Sequence, residues 1–455
     1  MKAKLVSVAV VLAALAVAAP AFADSGGSGG FQAGVQSANT GQAAVGAAVS
    51  TQNAVNANVP VSIAGGNVTV GPSSATQTAT SSANTNVSNT AHTNQNQTNT
   101  QNVGGNGSCQ AGCGGAGGFQ AGVQHSDTQQ TAAGVAKSDQ NAVNANVPVS
   151  IAGGDVNSGP SSATQTASST ATTNVSNTAH TDQNQTNTQN VGGNDSCQAG
   201  CGGAGGFQAG VQDSQTDQKA IGIAKSDQNA VNANVPVSIA GGDVNSGPSS
   251  ATQTASSTAN TDVSNKAHTN QDQTNTQNIG GNDSCKAGCG GAGGFQLGVQ
   301  KADTQQWALG VAKSDQNAVN GNAPVSTAGG DVNSGPSSAT QTATSTADTH
   351  VKNKAKTDQD QTLTQNLGGS GSCKAGCGGA GGFQLGVQKA DTQQWALGLA
   401  LSKQNAVNSN TPHSVAGGNI ADGPSSATQT PTSSADDDVE NKAKTDQGQW
   451  EDQLV

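Results

Sequence analysis

Five copies of the motif G-G-F-Q-[AL]-G-V-Q place Phe31, Phe119, Phe207, Phe295 and Phe383 at one constant interval, with nothing inserted or deleted between copies. A chain built this way repeats one structural unit, and each unit buries a face against its neighbours. The last copy ends at Val455, aligned with Val103, Val191, Ile279 and Leu367. The units are therefore 31–103, 119–191, 207–279, 295–367 and 383–455. Gly/Cys linkers at 104–118, 192–206, 280–294 and 368–382 join them. Independent beads on flexible glycine linkers are the competing arrangement.

The second half of each unit is the most patterned stretch. From Ala75 to Val103, odd positions hold Ala, Gln, Val, Asn, Thr and Ser, while even positions hold only Thr, Ser, Asn and His. No Gly or Pro interrupts the stretch. Period-two alternation predicts extended β structure with two distinct faces. At about 3.3 Å per residue a single strand of this length would span roughly 95 Å. Most strands are far shorter, about 5–6 residues. Either the stretch breaks into rungs at Asn-rich corners, or each unit is a very long hairpin. The turn would then fall at 64–74, where Gly65-Gly66 and Gly71-Pro72 lie. The expected fold is all-β: a tandem-repeat β-solenoid-like array or stacked long hairpins, with Gly-rich linkers.

Comparison of the copies separates the two faces. In the first four, the charges of this stretch are Asp182, Asp262, Lys266, Asp272, Asp348, Lys352, Lys354, Lys356, Asp358 and Asp360, all even. In the last copy only Asp437 and Glu451 are odd. A desolvated face cannot accept an unpaired charge, so the odd face is expected to pack. Its Gln77, Asn89, Gln95, Gln97, Asn99 and Gln101 can form amide ladders between stacked strands. The first segment of each unit, Phe31–Ile63, also alternates. In unit four its odd positions include Phe295, Leu297, Val299, Trp307, Leu309, Val311, Val319 and Val325. This more apolar face is expected to pack, with Phe31, Phe119, Phe207, Phe295, Phe383, Trp307 and Trp395 as anchors. The highly charged end of the last copy, 431–455, reads as an edge cap or a solvated tail.

Composition bounds the class. With 62 Gly, no Tyr and 10% charged residues, large apolar side chains are too scarce for a conventional core of this size. The charge density is also too low for a self-repelling disordered chain. Weakly charged Asn/Gln/Thr-rich chains favour β stacking. Met1–Ala23 combines Lys2 and Lys4, an apolar run from Leu5 to Ala19 and an Ala21-Phe22-Ala23 cleavage pattern. It reads as a secretory signal peptide, followed by a Gly/Ser leader at 24–30. The apolar run is shorter than the roughly 20 residues a span needs, and no membrane insertion is expected after cleavage. Losing Lys2 and Lys4 takes the net charge from −11 to −13. An acidic chain without Arg lacks the basic footprint of nucleic-acid binding.

Each linker carries one C-[QK]-A-G-C pair: Cys109 with Cys113, Cys197 with Cys201, Cys285 with Cys289, and Cys373 with Cys377. In an exported chain these are disulfide candidates, closed within a linker or paired between linkers. Free or metal-bound thiols are the remaining alternative. The spacing is not that of zinc pairs, and no linker contains His. His92, His180 and His268 share one even position that becomes Lys356 and Lys444 later, which fits an exposed polar site better than a metal ligand. Gly153-Gly154-Asp155-Val156-Asn157 lacks the dense acidic array of a calcium loop. No nucleophile–base pair, paired catalytic carboxylates or phosphate loop is recognisable. No cofactor and no enzymatic activity are expected.

Asn58-Val59-Pro60-Val61-Ser62-Ile63-Ala64-Gly65-Gly66-Asn67-Val68-Thr69-Val70-Gly71 resembles the V-P-V…G-N-x-V-x-V-x-G core of the chaplins, secreted surface proteins that assemble into amyloid-like layers. It departs where that family has Cys and this chain has Ala64. The Gln/Asn-spaced alternation is similar in kind to curlin repeats. These resemblances imply β assembly at a cell surface. The expectation is a secreted structural protein of the cell surface or extracellular matrix, self-associating through Ala/Val/Gln/Asn faces into an amyloid-like coat or fibre. A multivalent adhesin with possible cell-wall or glycan contact, using Trp307 and Trp395, is the first alternative. Ice binding is the second, suggested by Thr76-x-Thr78-x-Thr80 and its recurrence at Thr340, Thr342 and Thr344, although the motif reads as patchy.

Overall fold

The computed structural model describes residues 31–103, 118–191, 206–279, 294–367 and 382–454. The signal-peptide segment and the leader lie outside these residues. So do all eight disulfide candidates, Cys109, Cys113, Cys197, Cys201, Cys285, Cys289, Cys373 and Cys377. The first coil contains β1 (Phe31–Asn58), β2 (Val61–Ala64), β3 (Val68–Val70) and β4 (Ser73–Val103). The second repeats them as β5 (Phe119–Asn146), β6 (Val149–Ala152), β7 (Val156–Ser158) and β8 (Ser161–Val191). The third has β9 (Phe207–Asn234), β10 (Val237–Ala240), β11 (Val244–Ser246) and β12 (Ser249–Ile279). The fourth has β13 (Phe295–Asn322), β14 (Val325–Ala328), β15 (Val332–Ser334) and β16 (Ser337–Leu367). The fifth has β17 (Phe383–Asn410), β18 (His413–Ala416), β19 (Ile420–Asp422) and β20 (Ser425–Leu454).

Each strand pairs in parallel with its own copy in the next coil, Phe31 with Phe119 and Ala75 with Ala163. Four five-stranded sheets result, one per strand position. The fold is a β-solenoid with an unusually wide, flattened coil. Its long walls run roughly 90 Å and its five rungs stack to roughly 20 Å, from about 3.3 Å per residue and about 4.8 Å between strands. The two long strands of a coil do not bond to each other as a hairpin; they face each other across the core. The turn between them is the short β2–β3 tip around Gly65-Gly66.

The second wall turns its odd positions inward. Gln77, Asn89, Gln95, Gln97, Asn99 and Gln101 are all buried, and the charges at even positions of the first four coils point outward. The first wall overturns the expectation drawn from its apolar positions. Its even residues face inward and its odd residues outward. Phe119, Phe207, Phe295 and Trp307 are partly exposed, and Phe383 and Trp395 are more than half exposed, at 54% and 53%. They are not core anchors. The reason is steric. The facing wall is a dense row of amides, Ala, Thr and Val, and it leaves room only for small or matching side chains. Ala48 meets the Ala83 column, Ala54 meets the Ala79 column, and Ala44 meets the Val87 column. A Cβ added at Gly210 would fall 2.2 Å from Gln273 Nε2. An indole has no such gap to enter.

Hydrogen bonds therefore carry much of what apolar burial supplies in an ordinary core. Gln124, Gln212 and Gln300 each donate to the glutamine one coil earlier at 3.0–3.2 Å. Each also donates to backbone carbonyls of the opposite wall, as Gln212 does to Gln183 O and Asp272 O. Ser50, Ser81, Ser138, Ser169, Ser226, Ser257, Ser314, Ser345, Ser402 and Ser433 form one zigzag of hydroxyls between the walls, with links of 2.8–3.0 Å. A buried polar group is costly only when left unpaired. Here repetition supplies the partner along most of the ladders, while a few atoms such as Gln140 Nε2 and Thr128 Oγ1 stay without one.

Candidate functional site

With the inward amides closed inside the coil, chemistry is left to the tip, two outer walls and two ends. At the tip, Asp155 Oδ1 accepts the backbone N–H of Asp243 at 2.9 Å, and Asp243 Oδ1 accepts that of Asp331 at 2.8 Å. Asp331 Oδ1 likewise accepts the Asn419 N–H. These carboxylates pin successive turns together. The glycines fit that role, because a Cβ on Gly242 would lie 2.2 Å from Asp155 Oδ1.

The outer face of the first wall carries registered columns. The Phe119, Phe207, Phe295 and Phe383 rings stack at centroid distances of 5.0–5.2 Å, and Trp307 stacks on Trp395 at 5.7 Å. Leu397, Leu399 and Leu401 lie exposed on the same face as Trp395. Charged residues between these columns pair locally, as in Lys137–Asp139 and Lys225–Asp227, both at 2.5 Å. The His125 Nδ1 lies 3.2 Å from Asp213 Oδ2, and Lys301 Nζ lies 3.6 Å from Asp213 Oδ1. Contact with the Asp213 carboxylate raises the His125 pKa against the opposing effect of burial. Burial pushes Asp213 up, but the contact with His125 and the charge of Lys301 outweigh it, so its pKa is lowered.

The outer face of the second wall is polar throughout. His92, His180 and His268 stack at 4.8 and 4.9 Å. His180 Nε2 lies 2.9 Å from Asp182 Oδ2, and the ligand atoms of His92, His180 and Asp182 lie within 4.8 Å of one another. The trio could hold a cation, although the column continues as lysine in the last two coils. Burial, then the neighbouring His180 and Lys356 charges, lower the His268 pKa. Some in-register pairs bring like charges together. Asp272 stacks on Asp360, and burial followed by that charge raises its pKa.

The arrangement defines a wide-coil, parallel β-solenoid whose walls present periodic side-chain columns. No protein-family model, no curated protein and no solved structure matches the chain.

Proposed function

We propose that this is an exported structural protein of the cell surface or extracellular matrix, in which molecules join through the free edge of the first coil. The Ala/Val/Gln/Asn faces expected to join molecules are the core of each coil, so association falls to the ends. The supporting observation is the asymmetry of those ends. The first coil, 31–103, contains no Asp, Glu or Lys. In the first wall, odd residues direct their N–H groups toward the preceding coil, as Val147 does to Asn58 O and Phe207 to Gly118 O. Among the described residues, the odd N–H groups of β1 therefore face no neighbouring strand. A long, uncharged, unpaired strand is a ready template for another strand.

The last coil is guarded along its second wall, β20. In the second wall, odd residues direct their N–H groups toward the following coil, as Ser337 does to Pro424 O. Pro431 sits at such a position in β20 and offers no donor to the free edge. Asp437 and Glu451 put charge on the inward parity of the same strand. Pairing through two first-coil edges gives a rod twice the length of one chain, closed at both ends by guarded strands. Light scattering of the mature secreted chain should report a dimer, and Ala47→Pro, which removes an edge N–H from an exposed position, should report a monomer. A wild type that stays monomeric at high concentration would overturn the reading.

The exposed Trp307–Trp395 column supports a second reading, contact with cell-wall or host glycans. Retention of the mature chain on insoluble glycan, lost in Trp395→Ala, would favour it.

A further inference from the structure

The outer face of the second wall contains a block of five adjoining columns that are Ser or Thr in every coil; a shorter Thr-x-Thr stretch, Thr98 and Thr100, recurs through four coils and gives way to Trp450 and Asp452 in the fifth. The five columns of the block begin at Ser74, Thr76, Thr78, Thr80 and Ser82 and continue through the five coils by the in-register pairing of β4, β8, β12, β16 and β20. The Thr76 column is Thr164, Thr252, Thr340 and Thr428; the Thr78 column is Thr166, Thr254, Thr342 and Thr430. The three flanking columns hold only Ser or Thr in every coil. The Thr-x-Thr pair is thus present on every rung, which corrects the patchy impression given by the third threonine. Every position in the block is Ser or Thr, and none is buried.

The contrast with the adjoining columns is sharp. From Asn84 to Asn96, each outward column has acquired a charge in at least one coil: Asp348, Asp262, Lys352, Lys266, Lys356, Asp182 and Asp272 in turn. Solvent alone would tolerate charge equally in the hydroxyl block. Something about that block excludes charge, aromatic rings and even amides, while the core beneath it does not reach it.

Its geometry is that of a lattice. Outward side chains on one strand are about 6.7 Å apart and strands about 4.8 Å apart. Threonine is restricted at χ1, which favours a repeated orientation of hydroxyl and methyl along the Thr76 and Thr78 columns. The amide and serine ladders under the wall oppose the twist that would curve a free sheet. A hydroxyl both donates and accepts, so the array can bond a layer of water at fixed intervals, while the methyls between offer that water no partner. Oxygen atoms on the prism faces of ice repeat on a similar rectangular net.

We propose that this hydroxyl block binds the surface of ice, with the Thr76 and Thr78 columns as its centre. The ligand is neutral and periodic, which accounts for the exclusion of charge. The block carries no aromatic ring for stacking a sugar, which favours ice over a crystalline polysaccharide.

The test uses the secreted mature chain with its five coils. It should partition into a growing ice hemisphere and shape single ice crystals. Thr166→Lys/Thr254→Lys, at the centre of the block, should lose both effects with an unchanged circular dichroism spectrum. Asn184→Lys, on the same face outside the block, should keep them. Lysine is already accommodated on this face at Lys266 and Lys354, so folding is not in question for either variant. Absence of ice partitioning by the wild type, equal loss in Asn184→Lys, or binding to crystalline chitin or cellulose in place of ice would each overturn the proposal.

Discussion

Two asparagines three residues apart in β9 isolate what the core demands. Asn232 is fully buried. Its Nδ2 donates to Asn320 Oδ1 at 2.9 Å, Thr252 O at 3.0 Å and Ala163 O at 3.1 Å, and its Oδ1 accepts from Asn144 Nδ2 at 2.9 Å. Asn229 stands in an equally regular ladder, donating to Asn141 and accepting from Asn317, both at 2.9 Å, but it faces solvent. Replacing each with Asp changes one NH₂ to O and nothing in shape. At Asn229 water solvates the new charge, and the change in stability should stay within about 0.5 kcal/mol. At Asn232 the carboxylate would point at three acceptor oxygens with no donor among them, so the folded state must keep it protonated.

Holding a carboxyl protonated at pH 7 costs about 4 kcal/mol, from 1.36 kcal/mol per unit over the interval from about 3.9. The single acid proton replaces two amide hydrogens, and that loss adds about 1 kcal/mol. The folded-state pKa of this Asp is raised, so the variant regains stability as pH falls and loses it as pH rises above the unfolded value. Asn232→Ala leaves Asn320 Oδ1 without its donor and should cost about 1–3 kcal/mol at every pH. Urea denaturation followed by circular dichroism, at pH 7 and pH 4, is the assay. Asn232→Asp should be the worst of the three variants at pH 7 and recover most of its deficit at pH 4. Equal losses for Asn232→Asp and Asn229→Asp, or a loss independent of pH, would refute a desolvated amide core.

Two further outcomes test packing and charge. Gly210→Ala places a methyl 2.2 Å from Gln273 Nε2 and should destabilise by about 1–3 kcal/mol, whereas Gly41→Ala, with nothing within 4 Å of the added Cβ, should be neutral in the same melts. The His125–Asp213 contribution should be full at pH values between the two groups' unfolded pKa values, about 4 and 6.5. It falls as pH rises through the raised His125 pKa, and falls again as pH drops through the lowered Asp213 pKa. The melting-temperature gap between wild type and Asp213→Asn should therefore peak in that acid window; a gap constant with pH would remove the pair from the account.

How far this fold is legible depends on which side chains charge has reached. In the second wall, ten charges on even positions separate the faces from sequence alone, because a packed amide face rejects ions and a wet one does not. The same test applied to the first wall gives its inside at once. Asp127, Lys137, Asp139, Asp213, Asp217, Lys219, Lys225, Asp227, Lys301, Asp303, Lys313, Asp315, Lys389, Asp391 and Lys403 are all odd, and the odd residues face out. The presence of Phe295, Leu297 and Trp307 on that parity suggests the reverse, because large apolar residues normally mark a core.

A second signal agrees with the charges. From Gln32 to Asn58 the even positions hold the same residue in all five coils, except the Ala38 column, which alternates Ala and Ser. Each such side chain packs against or bonds to its own copy above and below, so a substitution in one coil breaks two contacts of identical kind. An outward Leu or Trp has no such obligation and drifts. In a core made of self-complementary ladders, a nearly unbroken run of identical alternate positions marks the inside, and hydrophobicity does not. The hydroxyl block is one of several outward sets that stay constant, beside the Val35, Asn53 and Val55 columns of the first wall. It faces out, Ser434 Oγ reaches Thr346 Oγ1 of the preceding coil only at 3.4 Å, and every coil keeps the same hydroxyl chemistry there. The proposed ice surface, a neutral and periodic ligand, accounts for that constancy.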